Sequence, residues 1–258
     1  MSVGFDLDQA RASLLDRVRL LAQRSATVDD AERMAAVAAQ IFQHFEDGPG
    51  DAFSAIEKQT VVLGCLFSDI GKTGPEHGSA EDQQLIAEMF AVEGVPNDTI
   101  SVEEFIRTYF PNDAGPRLGR FRALGLDPSI TIRAFWNLHT GWTLSILEKA
   151  GVPREAVAAA ATHHLLDNVN PESIVGEDGR FSRDFGENAT FDRAEKLIIL
   201  LDKYDAVRRR GGRSHGQAIE WLRERIAKSP RSKGDPEVAA LLDVVDTVLG
   251  NVEPKPGS

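Results

Sequence analysis

Four places in the 258-residue chain combine residue types that could do chemistry. The first is Phe67-Ser68-Asp69-Ile70-Gly71-Lys72, where an apolar run from Val61 ends in a hydroxyl, a carboxylate, a glycine and a lysine. Read as a helix, the run delivers Asp69 to its C-terminal end, where the helix dipole disfavours a negative charge. A nearby cation would offset this, and a metal ion is the strongest such cation. The other reading is an ordinary helix end, with Gly71 as the glycine that follows it and Lys72 neutralising the last carbonyls. The second place is His139, within Trp136-Asn137-Leu138-His139-Thr140-Gly141-Trp142. The third is the pair His163-His164, after the small-residue run Val157–Thr162. A lone histidine in apolar surroundings is usually a satisfied core residue, whereas an adjacent pair after an alanine-rich helix suits metal ligation better. The fourth is Asp202, which interrupts the apolar run Leu197–Leu201. A carboxylate there must be paired or bind a metal. Lys203, Arg208 and Lys72 are its candidate ion-pair partners, and Asp205 is one turn on.

One apparent motif fails. Gly71-Lys72-Thr73 looks like the end of a phosphate-binding loop, but the required glycine five residues before Gly71 is Leu66, and the preceding segment reads as helix.

Helices must position these residues, because apolar period 3.6 runs through the chain and no period-2 strand stands out. Helices are predicted from Asp8 to about Gln23; from a cap at Thr27 or Asp29 to just before Asp47; from about Phe53 to Ile70; over Ala80–Phe90; from a capping box at Ser101 and Glu104; from Ser129 to Ala150; from Pro153 towards His163; from Phe191 to Arg210; from a Ser214 cap to Ala227; and from Pro236 to Leu249. The polar stretch Asn168–Asn188 reads as an active-site or surface loop, and Asn251–Ser258 as a frayed tail. The fold class is therefore all-α, a multi-helix bundle. It reads as one domain over residues 1–258, with a core at about 27–228, an N-terminal helix within 1–26 as an appendage and a C-terminal helix at 235–250.

The hydrophobic fraction of 42% suits a globular chain with a sizeable core. A formal net charge of -11 opposes non-specific binding to nucleic-acid polymers and anionic membranes. The single cysteine, Cys65, excludes a disulfide framework. With no signal peptide and no apolar span of about 18 residues, the expected location is the cytoplasm.

The order Asp69…Lys72…His139…His163-His164…Asp202 resembles the HD superfamily of metal-dependent phosphohydrolases, and its HD-GYP branch most. That branch ends a helix in His-Asp-Ile-Gly-Lys; this chain has Ser68-Asp69-Ile70-Gly71-Lys72. His139-Thr140 with Ile146-Leu147 matches a later helix, and His163-His164 matches a histidine pair that opens a loop. Leu201-Asp202-Lys203-Tyr204-Asp205-Ala206 is similar to the final Asp-x-Tyr/Phe-Asp-Ala motif. The chain departs from the pattern in four ways, one of them a segment between Lys72 and His139 that is longer than the family usually has. Ser68 replaces a histidine ligand, Asp30 stands near the place of the first-helix histidine, and Leu165–Pro171 replaces the Gly-Tyr-Pro loop.

The resemblance implies an HD-domain-like bundle and one or two divalent transition ions. Asp69, His139, His163 and His164 complete one metal position, and that donor set suits Fe, Mn, Zn or Ni. Asp69, Asp202 and Asp30 form a weaker, oxygen-rich second position. Lys72 would neutralise phosphoryl oxygens. The implied activity is hydrolysis of a nucleotide or cyclic dinucleotide phosphodiester of the cyclic di-GMP kind. Ser68 and the missing loop support a different class: a catalytically inactive HD domain that senses a nucleotide or binds a signalling protein.

Overall fold

A computed structural model describes residues 7–48, 50–167, 174–176, 180–209 and 211–250, with side chains described from residue 14 onward. Among the described residues there are helices, turns and three isolated bridges but no strand, so the chain is all-α. It divides into two units, Met1–Val28 with Asp69–Val152, and Asp29–Ser68 with Pro153–Ser258.

The first unit holds α1 (Leu7–Arg24), a 3-10 turn (Ile70–Thr73), α4 (Ala80–Phe90), α5 (Val102–Tyr109), α6 (Ala114–Ala123) and α7 (Ile132–Lys149). Its core is Leu85, Ile86, Met89, Phe105, Phe121 and Phe135 with their neighbours. Ser79, Ser101 and Thr131 cap α4, α5 and α7, each accepting a backbone N–H three residues on. The starts of α5 and α7 are tied side by side, because Ile132 N donates to Ile100 O (2.8 Å) and Val102 N to Ile130 O (2.9 Å). No helix was expected at α6, since Gly115, Pro116 and Gly119 disguise it. It forms because Ala114, Leu118 and Phe121 fall on one buried face, while Pro116 sits in the first turn, where a missing N–H costs nothing.

α1 is built into this unit rather than appended to it. Leu14 and Leu21 are buried, and so is the Arg17 guanidinium. It donates to Thr73 Oγ1 (2.6 Å) and to the carbonyls of Gly74 (3.3 Å), Pro75 (3.1 Å) and Glu76 (3.0 Å). One side chain thus satisfies the acceptors of the loop that follows the 3-10 turn.

The second unit holds most of α2 (Thr27–Asp47), with α3 (Ala55–Phe67), α8 (Arg154–Ala161), α9 (Arg193–Arg209), α10 (His215–Lys228) and α11 (Pro236–Gly250). On α2, Met34, Ala38, Ile41 and Phe42 are buried, as the periodicity predicts. α3 lies close against α8 and α9 because Gly64 has no side chain: a Cβ there would overlap Ile198 and stand 3.2 Å from the Ala159 methyl. Five alanines of α8 are fully buried. Capping boxes start α3 (Ser54 with Glu57) and α10 (Ser214 with Gln217). Glu57 also receives Arg193 (2.6 Å), whose guanidinium lies 4.1 Å from the Phe53 ring centroid. Buried Glu195 accepts from Asn188 Nδ2 and Asp192 N, both at 2.9 Å, and so fixes the approach to α9. Of the predicted 168–188 loop, residues 168–173 and 177–179 lie outside the described residues, as does the 251–258 tail. The described parts form the bridges Val175–Phe181 and Phe185–Asn188.

Candidate metal centre

In the first unit, Asp69 and Lys72 lie on the turn beyond α3. The helix ends at Phe67, not Ile70, and Ile70–Thr73 winds into a 3-10 turn. Gly71 is therefore not the left-handed glycine expected after the helix. That conformation belongs to Gly74 (φ 86°). Gly71 is required for another reason, since a Cβ there would overlap the His139 carbonyl oxygen and stand 2.7 Å from the Thr143 nitrogen. Its N–H donates to Thr143 Oγ1 (3.0 Å). This close approach sets the turn against α7 and leaves Asp69 Oδ1 3.4 Å from His139 Nε2. Lys72 does not neutralise helix carbonyls; its ammonium pairs with Asp69 Oδ2 at 2.6 Å. His139 is buried, with the Phe90 ring edge-on beside it at 5.8 Å. Its Nδ1 lies 2.5 Å from the Trp136 carbonyl, so Nδ1 carries the proton and Nε2 keeps its lone pair.

In the second unit, α8 ends at Ala161, and His163 and His164 occupy the turn that follows. Pro153 is the residue before the helix rather than the first within it. His163 is fully buried, and its Nδ1 lies 2.6 Å from the Ala160 carbonyl. It repeats the His139 pattern one helix turn after its own carbonyl partner. The two histidine rings are 4.0 Å apart between centroids. His164 is held differently. Its Nδ1 accepts from the Lys203 ammonium at 2.6 Å and lies 3.4 Å from Asp167 Oδ2. Burial, the neighbouring His163 and the Lys203 charge push its pKa well below that of an ordinary histidine, so the ring is neutral. Asp202 pairs with Lys203 at 2.9 Å, one of the ion pairs open to it from the sequence. Burial opposes the charge on Lys203, but Asp202 and Asp167 outweigh it and raise the pKa above the usual value. Burial raises the Asp167 pKa, but the Lys203 ammonium against its carboxylate outweighs this, so its pKa falls.

Asp69, His139, His163 and His164 each offer a ligand atom within 4.8 Å of the others. Three imidazoles and one carboxylate are a donor set suited to a divalent transition ion. Two of the imidazoles have Nδ1–H donated to a main-chain carbonyl, the arrangement that orients a ligating histidine and frees Nε2. The residues therefore fit a metal ion. Asp202 and Asp30 are outside this group. Asp30 is engaged by Arg33 (2.5 Å) and by Arg209, and Asp205 by Arg33 (2.9 Å). Ser68 is buried and donates to the Cys65 carbonyl (3.3 Å).

Sequence reasoning missed Asp167, Thr143 and Arg17. Asp167 had a signal, since it follows His164 by three residues, and Thr143 follows His139 by four. Nothing near Arg17 in sequence marks its role. Set against protein-family models, curated proteins and solved structures, the chain matches none.

Proposed function

We propose that Asp69, His139, His163 and His164 hold a divalent transition metal, and that the protein is a divergent HD-type phosphohydrolase acting on a nucleotide or cyclic dinucleotide phosphodiester. The observation that carries this reading is the mutual approach of those four ligand atoms. Four residues separated by up to 95 positions in sequence converge with the right chemistry. A bound ion would supply Lewis acidity towards a phosphoryl oxygen and make a water more acidic. The chain's own residues do the rest. His139 and His163 present Nε2 in a fixed orientation, because each Nδ1–H is held by a carbonyl. Asp69 balances the positive charge of the centre. Lys72, partly exposed beside Asp69, is placed to neutralise charge that develops on a phosphate.

A second reading has its own support. Ser68 replaces a ligand, and Asp30 is occupied by two arginines, so the oxygen-rich second position keeps only Asp69 and Asp202. A domain of that kind would sense a nucleotide without turning it over.

One experiment tests both. Protein purified without chelators is analysed for metal and assayed on bis(p-nitrophenyl) phosphate with added Mn²⁺, beside Asp69→Ala and His163→Ala. About one ion per chain, lost in both variants together with at least a roughly 100-fold fall in rate, supports the phosphohydrolase. Bound metal without turnover under Mn²⁺, Fe²⁺, Zn²⁺ or Ni²⁺ supports the sensor. No metal in the wild type refutes the metal centre.

A further inference from the structure

Among the described residues, Lys203 is a lysine buried in the middle of a helix. It projects from α9, whose residues from Leu197 to Lys203 are all buried, and its side chain is 6% exposed. A lysine so placed must have every ammonium proton matched. Its Nζ lies 2.6 Å from His164 Nδ1, 2.6 Å from Asp167 Oδ2 and 2.9 Å from Asp202 Oδ2. An ammonium has three N–H donors and no acceptor, and three acceptors surround this one. Two carboxylates and an imidazole around one positive centre are also the donor set of a divalent-metal site. All these residues belong to the second unit, and the contacts need nothing from the first.

We infer that the Lys203 ammonium is a built-in substitute for a metal ion, filling a cation position formed by Asp167, Asp202 and His164. Two consequences follow from the geometry. The position is closed to an external ion while Lys203 occupies it, so among the described residues the neighbouring group is left as the place for one ion. The His164 Nδ1 lone pair is also committed to Lys203. While Lys203 holds Nδ1, neutral His164 carries its proton on Nε2, so it joins the neighbouring group only by giving up that contact or that proton, unlike His139 and His163, whose Nδ1 atoms face carbonyls.

The inference rests on the metal reading of Asp69, His139 and His163 only for the ion count of the wild type. The test is metal stoichiometry after equilibration with excess Mn²⁺ and gel filtration, in wild type, Lys203→Met and Lys203→Arg. Lys203→Met removes the charge and keeps the aliphatic volume. It should hold one more ion per chain than the wild type, and the extra ion should vanish when Asp202→Asn is added. Lys203→Arg keeps a cation and should hold no extra ion. If Lys203→Met is unfolded in chelator, Mn²⁺ should restore its helical circular dichroism. A folded Lys203→Met with the wild-type count, a variant left unfolded in Mn²⁺, or a wild type that already holds two ions overturns the inference. A wild type with no ion beside a Lys203→Met with one would uphold it and sink the phosphohydrolase reading.

Discussion

Replacing Gly71 by alanine touches no candidate ligand, yet it should damage the site. A Cβ at 71 would overlap the His139 carbonyl oxygen and stand 2.7 Å from the Thr143 nitrogen, where ordinary contact begins at 3.4 Å. Both obstacles are main chain of α7, so neither can rotate away. The turn must move off α7 by roughly 1 Å, and shifts of that size forfeit about a quarter to a half of each affected contact. Overpacking of this kind costs about 1–3 kcal/mol. The buried Gly71 N–H to Thr143 Oγ1 bond is lost with it, for about 1 kcal/mol more. A total of about 2–4 kcal/mol should lower the melting temperature by roughly 5–15 °C for a chain of this size. The same movement widens the 3.4 Å spacing of Asp69 and His139, so Mn²⁺ affinity should fall as well.

The control is Gly119→Ala in α6, where a Cβ would meet nothing within 4 Å. That change should stabilise by about 0.4–1 kcal/mol, because alanine restricts the unfolded chain and favours helix. Thermal melts by circular dichroism and Mn²⁺ titration calorimetry read both effects. If Gly71→Ala melts within about 1 °C of wild type, the turn does not press on α7, and the placement of Asp69 beside His139 is wrong.

Other outcomes follow from single side chains. Burial, aided by the Asp192 charge, pushes the Glu195 carboxyl up to about 8 from 4.5. Its pKa is raised on folding, so its stability contribution is full below about pH 4.5 and is lost as pH rises to about 8, with a ceiling near 5 kcal/mol at about 1.4 kcal/mol per unit. Urea midpoints for Glu195→Gln should change less between pH 5 and 9 than those of wild type, and parallel profiles would contradict the assignment. Arg17→Met leaves the acceptors at Thr73–Glu76 without their buried donor and should cost about 2–4 kcal/mol in urea unfolding. It should also weaken Mn²⁺ binding, since that loop continues from the Asp69–Lys72 turn; unchanged binding would detach Arg17 from the site.

Period and caps were enough to read most of the helices. Ala80–Phe90 is the range found, and Ser214 caps α10 as expected, because both signals are local. α6 was hidden, because two glycines and a proline carry more weight in a propensity reading than three apolar residues at helical spacing. The 3-10 turn was hidden because the apolar pattern continues to Ile70, and what ends the helix at Phe67 is not local: α7 packs on Gly71 from about 70 residues away in sequence. Among candidate residues, the order of acids and histidines drew out Asp69, His139, His163 and His164, the group that could hold a metal ion. The role of Lys203 was not legible beyond its being one partner for Asp202. α9 is buried around nearly its whole circumference at that point, so no polar stripe shows which way position 203 faces.

The distribution of charge bears on enzyme against sensor. Three acids with the chemistry to serve a second metal are matched to the chain's own cations: Asp30 to Arg33 and Arg209, and Asp167 and Asp202 to Lys203. Undoing the Lys203 pairings has a cost, because stripping one partner from a buried ion pair leaves an uncompensated charge worth about 3–5 kcal/mol; the Asp30 pairs, with more exposed arginines, hold less. An incoming second ion must displace Lys203 and leave its ammonium with no comparable partner set. A two-ion mechanism is therefore opposed by folding energy as well as by missing ligands. Under the phosphohydrolase reading, turnover would therefore use a single ion, with Lys72, partly exposed on the Asp69 turn, as the cation for the phosphate.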